Sequence, residues 1–79
     1  MNRKDITFNV IKIIEQISDI RMNERDFNLH FKELLIDSLT LYEIVFAIEE
    51  AFKLSISDEE AYILENMNDI VNIIESKIG

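Results

Sequence analysis

Residues Leu34–Phe52, "LLIDSLTLYEIVFAIEEAF", decide the fold. Leu41, Ile44, Val45, Ile48 and Phe52 fall on one stripe at about 100° per residue, which predicts a helix from about Ser38 to Lys53 with that stripe against a core. Asp37 and Ser38 stand at its start. Asp37 can accept the first free backbone N–H groups, leaving Ser38 on the opening turn with its hydroxyl outward. A phosphate ester there would gain roughly 0.3–1 kcal/mol from the positive helix end. The plainer alternative is that Asp37, Ser38 and Thr40 are ordinary helix-start residues, and the local pattern taken alone favours it.

Working outward, Ile6, Val10, Ile13, Ile14 and Ile17 recur at helical spacing, which predicts a first helix over Lys4–Ser18. The period disappears from Asp19 to Ile36, yet Ile20, Met22, Phe27, Leu29, Phe31, Leu34 and Leu35 make this segment too apolar for a free linker. It is expected to pack onto the helices, with a short turn near Phe31–Leu34. Downstream, Ser57 precedes Glu60 by three residues, the spacing of a capping box, so a short third helix should run to Ile63 or Leu64. Asn66 and Asp69 offer a similar start for a fourth helix, in which Met67, Ile70, Val71, Ile74 and Ile78 share a face up to Gly79. The expected architecture is all-α: one domain over residues 1–79, a small four-helix bundle of three longer helices and one short one, with a long loop after the first.

The 79 residues leave no room for a second core or a deep enzymatic cleft. Eight basic residues against 16 acidic ones give a net charge of -8, which disfavours nucleic acid and suits basic protein partners. With no cysteine, thiolate chemistry, disulfides and cysteine-ligated metals are ruled out. Lys12 and Glu15 interrupt the N-terminal apolar stretch, and no apolar run approaches the ~20 residues of a bilayer span, so a cytoplasmic chain without membrane insertion is expected.

Catalytic chemistry lacks parts. His30 is the only histidine and lacks a glycine-rich oxyanion loop or strand-turn-helix elbow, so a loop or partly packed histidine is expected in preference to a serine triad, and with Gly79 the only glycine no phosphate cradle can be assembled. The acidic clusters lack a glycine-centred calcium loop and read as solvated helix faces. The face of the second helix opposite its core stripe carries Ser38, Leu39, Tyr42, Glu43, Phe46, Glu49 and Glu50. Tyr42 and Phe46 follow Ser38 by four and eight positions and form a row below it. An apolar row rimmed by carboxylates has the makings of a docking surface, unless the long loop folds over Leu39 and Phe46.

At this point the chain resembles the acyl carrier protein family. "DSLTLYEIVFAIEEAFKLSISDEEA" carries that family's Asp-Ser-Leu motif at Asp37-Ser38-Leu39, its helix glutamate at Glu43, paired acids at Glu49-Glu50, a core aromatic at Phe52, and the third-helix entry at Ile56 with Asp58-Glu59-Glu60-Ala61. The resemblance is specific over Leu34–Ala61, and helix order and length agree over nearly the whole chain. It implies a non-enzymatic carrier bearing covalent 4'-phosphopantetheine, derived from coenzyme A, on Ser38. The missing cysteine then has a reason, since the arm brings its own thiol. Asp37, Leu39, Tyr42, Glu43, Phe46, Glu49 and Glu50 become the expected partner-recognition residues.

The resemblance also implies the partners: a phosphopantetheinyl transferase, an acyl- or aminoacyl-loading ligase or transferase, and downstream synthase or transferase enzymes meeting a monomeric carrier. Fatty-acid or polyketide-type acyl intermediates are the first expectation. An aminoacyl or peptidyl carrier, of nonribosomal-peptide or D-alanyl type, is the second, and an acidic helical interaction domain with no prosthetic group is the rival of another class. The chain departs from fatty-acid carriers at Leu35, where glycine is usual, and at Thr40, Ala51, Lys53 and Ser57. Pocket capacity separates the acyl from the aminoacyl reading: a long acyl chain needs a dilatable channel beneath the second helix, where the bulk of Phe46, Ile48 and Ile63 works against it.

Overall fold

The computed structural model describes residues Met1–Ile78, so the expected end of the last helix at Gly79 lies outside it. Four helices follow in order: α1 Arg3–Ser18, α2 Ser38–Phe52, α3 Asp58–Tyr62 and α4 Met67–Ile78. α1 packs against both α2 and α4 in a body measuring 29 × 25 × 19 Å. Among the described residues there is no strand, and no helix is long and apolar enough to cross a membrane.

The helix starts follow from their caps. α1 begins one residue before the expected Lys4 because the Asn2 side chain accepts the Asp5 N–H at 2.9 Å, a cap the apolar period does not reveal. At α3 the Ser57 hydroxyl accepts from Glu60 N–H at 3.1 Å, and Glu60 Oε1 returns the bond to Ser57 N–H at 2.9 Å. Asp69 N–H donates to Asn66 Oδ1 at 3.0 Å and Asp69 Oδ2 accepts from Asn66 N–H at 3.3 Å, so both sequence-read capping boxes form. α3 is shorter than expected: its last residue is Tyr62, and Ile63 caps it.

α1 and α2 end with one shared device. Asp19 and Lys53 cap them in the left-handed region, at φ 61° and 55°, with N–H groups donating to the Glu15 and Glu49 carbonyls. The side chains of those glutamates then reach seven residues forward, Glu15 Oε2 to Met22 N–H and Glu49 Oε2 to Ile56 N–H, both at 2.9 Å. Met22 and Ile56 are buried, so each carboxylate satisfies a donor that the incoming loop would otherwise leave unpaired.

The core joins every element. Ile6, Val10 and Ile14 of α1, Ile44, Val45 and Ile48 of α2, Ala61 of α3, and Met67, Ile70, Val71 and Ile74 of α4 are buried together. Leu41 and Phe52, at the two ends of the predicted α2 stripe, are only partly buried, and Ile78 is exposed. The long loop is part of this core: Met22, Phe31 and Ile36 are buried in it, and Ile20, Phe27 and Leu34 pack against it. A single 3-10 turn at Glu24–Asp26 shapes its first half. Phe31 N–H donates to Glu65 C=O at 2.7 Å and Asn68 N–H to Phe27 C=O at 3.4 Å, which lashes the loop to the α3–α4 connection and to the first turn of α4.

Candidate functional site

Ser38 opens α2, and Asp37 in extended conformation (φ −82°, ψ 175°) is its cap. Thr40 N–H donates to Asp37 Oδ1 at 2.8 Å, so the aspartate takes the capping role and Ser38 remains an exposed first-turn residue. Bonds from Thr40 N–H, the Thr40 hydroxyl and Leu39 N–H hold the Asp37 carboxyl below its ordinary 3.8. Such a carboxylate contributes stability above its unfolded pKa and loses that contribution as pH falls through the lower folded value. Asp37→Ser keeps a cap that does not titrate. Its urea midpoint should therefore fall less than that of the wild type as pH drops below 3.8, and parallel curves would refute this account.

Beside Ser38 lies a cleft of about 560 Å³ between the long loop, the start of α2 and α3. Phe31, Ile36, Leu41, Ala61 and Leu64 give it an apolar floor, while Tyr42, Tyr62, Lys32 and Glu65 put polar atoms around it. Ile63 lines the cleft as expected, but Ile48 and Phe46 do not narrow it. Ile48 is fully buried in the core, almost three helical turns along α2 from Ser38, and Phe46 lies round the other side of α2 at the groove. Tyr62 and Lys32 were not singled out by the sequence, since exposed residues of a short helix and a loop have no period to mark them.

His30 also lines the cleft, partly packed as expected for a loop histidine. Its Nδ1 accepts Lys32 N–H at 3.1 Å and its Nε2 lies 3.8 Å from Glu65 Oε2. The ring serves the loop and its junction with the α3–α4 connection, and Ser38 has no catalytic dyad with it.

On the other side of α2 a shallow groove is lined by Ile17, Leu39, Tyr42, Glu43, Phe46 and Glu50. The loop does not cover it: Leu39 is 71% exposed, Phe46 56% and Tyr42 47%. The structure thus brings together Leu39, Tyr42, Glu43, Phe46 and Glu50 on one accessible face, with Ser38 at the head of the helix beside the cleft. Glu49 departs from the expected set. It is partly buried and its carboxylate is bonded to Ile56 N–H, so it holds the α2–α3 loop and does not front the groove.

The site suits a bulky anionic modification. A hydroxyl on the first turn of a 15-residue helix sits where unpaired N–H groups favour phosphate, and it is exposed to an incoming enzyme. The apolar-floored cleft next to it offers cover for a carried group.

Comparison with known proteins agrees with this geometry. The family described as phosphopantetheine attachment site matches residues 9–74. An acyl carrier protein homolog of Mycoplasmopsis pulmonis is 42% identical over 65 residues, covering 82% of this chain and 89% of its own. The acyl carrier protein of Borrelia garinii subsp. bavariensis is 35% identical over 80 residues, covering all of both chains. Among solved structures, the Thermotoga maritima acyl carrier protein superposes with a TM-score of 0.85 at 28% identity, covering 99% of this chain and 92% of that one. The family match over residues 9–74, together with relatives that cover most or all of this chain, places it in the acyl carrier protein family, whose members carry acyl groups on a covalent 4'-phosphopantetheine arm.

Proposed function

We propose that Ser38 carries the arm and that residues 1–79 form a single carrier domain. The observation that supports this most directly is the division of labour at the α2 start: Asp37 makes the cap and Ser38 stays exposed beside the cleft. Ser38 Oγ holds the phosphodiester, and the first-turn N–H groups favour its negative charge. The arm supplies the thiol on which cargo rides as a thioester.

The apolar floor of the cleft supports acyl intermediates of fatty-acid or polyketide-type biosynthesis as the cargo. The chain works with enzymes and supplies no catalytic group itself. A phosphopantetheinyl transferase of the cytoplasm loads the arm, an acyl-loading ligase or transferase charges it, and synthase or transferase enzymes draw on the cargo. They meet the carrier as a monomer across Asp37, Leu39, Tyr42, Glu43, Phe46 and Glu50. An acidic rim around exposed apolar side chains suits basic, partly apolar partner surfaces.

The test is intact mass after incubation with coenzyme A and a broad-specificity phosphopantetheinyl transferase. Wild type should gain one phosphopantetheine and Ser38→Ala none. An unmodified wild type, or an equally modified alanine variant, would refute the assignment.

A further inference from the structure

The turn that delivers the chain to Ser38 contains an unfavourable choice of residue. Leu35 N–H donates to Lys32 C=O at 3.1 Å and Ile36 N–H to Phe31 C=O at 2.9 Å, the paired bonds of a Schellman closure, with buried Phe31 and Ile36 at its two ends. The residue between them must be left-handed, and Leu35 is, at φ 60°. Glycine meets that requirement without a Cβ clash, whereas a γ-branched leucine is strained there. Nothing in the fold compensates, because the Leu35 side chain is 90% exposed.

Scarcity of glycine does not explain the leucine. The other two left-handed residues among those described, Asp19 and Lys53, put polar side chains into water, and Asp tolerates this conformation better than most. Among the described residues Leu35 alone combines backbone strain with an apolar side chain in solvent, three residues ahead of Ser38. Leu39, 71% exposed, stands one residue behind it. Strain kept at such a place points to a contact made outside the folded chain.

We propose that Leu35 is a contact residue for the phosphopantetheinyl transferase, an apolar knob that with Leu39 brackets Ser38 and enters an apolar socket rimmed by basic residues. This rests on Ser38 as the attachment residue. In the transfer, Ser38 Oγ forms a bond to the pantetheine-side phosphorus of coenzyme A while that phosphorus loses its bond to the bridging oxygen. Adenosine 3',5'-bisphosphate leaves, and the hydroxyl proton passes to a base on the transferase. The reacting phosphorus must come to Ser38 itself, so this partner is obliged to cover the flanking residues. Later enzymes meet the thiol at the far end of the arm. Asp37 and Glu43, exposed beside the pair, give the charge complement to a basic rim.

The experiment compares kcat/KM for modification of the full chain by a broad-specificity phosphopantetheinyl transferase with coenzyme A, together with melting temperature. Leu35→Gly and Leu35→Asn, both compatible with the left-handed turn, should be modified about tenfold more slowly, mainly through KM, as expected for a lost apolar anchor. Leu35→Met should stay close to wild type, and Leu35→Gly should melt higher than wild type because the strain is relieved. Rates equal to wild type for the glycine and asparagine variants would overturn the inference while leaving Ser38 as the attachment residue. So would a slow glycine variant that also melts lower, since the loss would then belong to the fold. An unmodified wild type would remove both proposals.

Discussion

Replacing Phe31 with alanine should cost about 3–5 kcal/mol, the range for truncating a fully buried aromatic. A domain of 79 residues has roughly 4–12 kcal/mol in total at 0.05–0.15 kcal/mol per residue, so the variant should be largely unfolded or melt far below wild type. The size of the effect is unusual for a loop residue, and its cause is placement. Phe31 is 1% exposed, its N–H is bonded to the α3–α4 connection, and its C=O closes the turn that leads to Ile36 and Ser38. Circular dichroism with urea titration measures the loss. A cost below about 1 kcal/mol would mean that the loop detaches without disturbing the bundle, contrary to the packing described. The consequence reaches function, because the same turn forms one wall of the cleft beside Ser38.

Phe31 also marks where sequence reading stops. The helices of this chain are legible because a helix repeats its environment every 3.6 residues, and Ile44, Val45 and Ile48 register that repeat directly. Caps are legible where two residues answer each other, as Ser57 and Glu60 do. In the loop no such period operates. Composition shows that Phe27, Phe31 and Leu34 must be covered, but the partner atoms come from distant residues such as Glu65, which no local pattern identifies. The same limit applies to the cleft: its position depends on where α3 and the long loop lie, and periodicity puts Phe46 on the outward face of α2 without telling that this face borders the groove and not the cleft.

The exposed face of α2 was partly legible. Helical geometry groups Ser38, Tyr42, Phe46 and Glu49, but it carries no information about which side chain is already in use. Glu49 is bonded to a loop amide and leaves the group for that reason. Leu35 shows the opposite case. The sequence marks it only as a departure from the family pattern, and its physical meaning emerges from a φ of 60° and an exposed side chain together.

The largest effect on partner enzymes should come from Tyr42 and Glu43. Tyr42 borders both the cleft and the groove, so an enzyme covering either contacts it. Aromatic anchors at interface centres cost 2 kcal/mol or more when truncated, so Tyr42→Ala should lower kcat/KM for loading of the holo chain by an acyl carrier protein ligase by about thirtyfold. Glu43 lies in the groove rim and is exposed, which makes its contribution one of long-range attraction. Glu43→Lys reverses that charge and should slow loading by about tenfold at low salt, with the deficit shrinking as ionic strength rises. The two signatures separate the roles, since loss of an apolar anchor should persist in salt. Neither residue belongs to the buried core, so both variants should unfold at urea midpoints close to wild type. Loading rates unchanged in both variants would show that partners approach Ser38 from the α3 side of the cleft and leave the α2 groove uncovered.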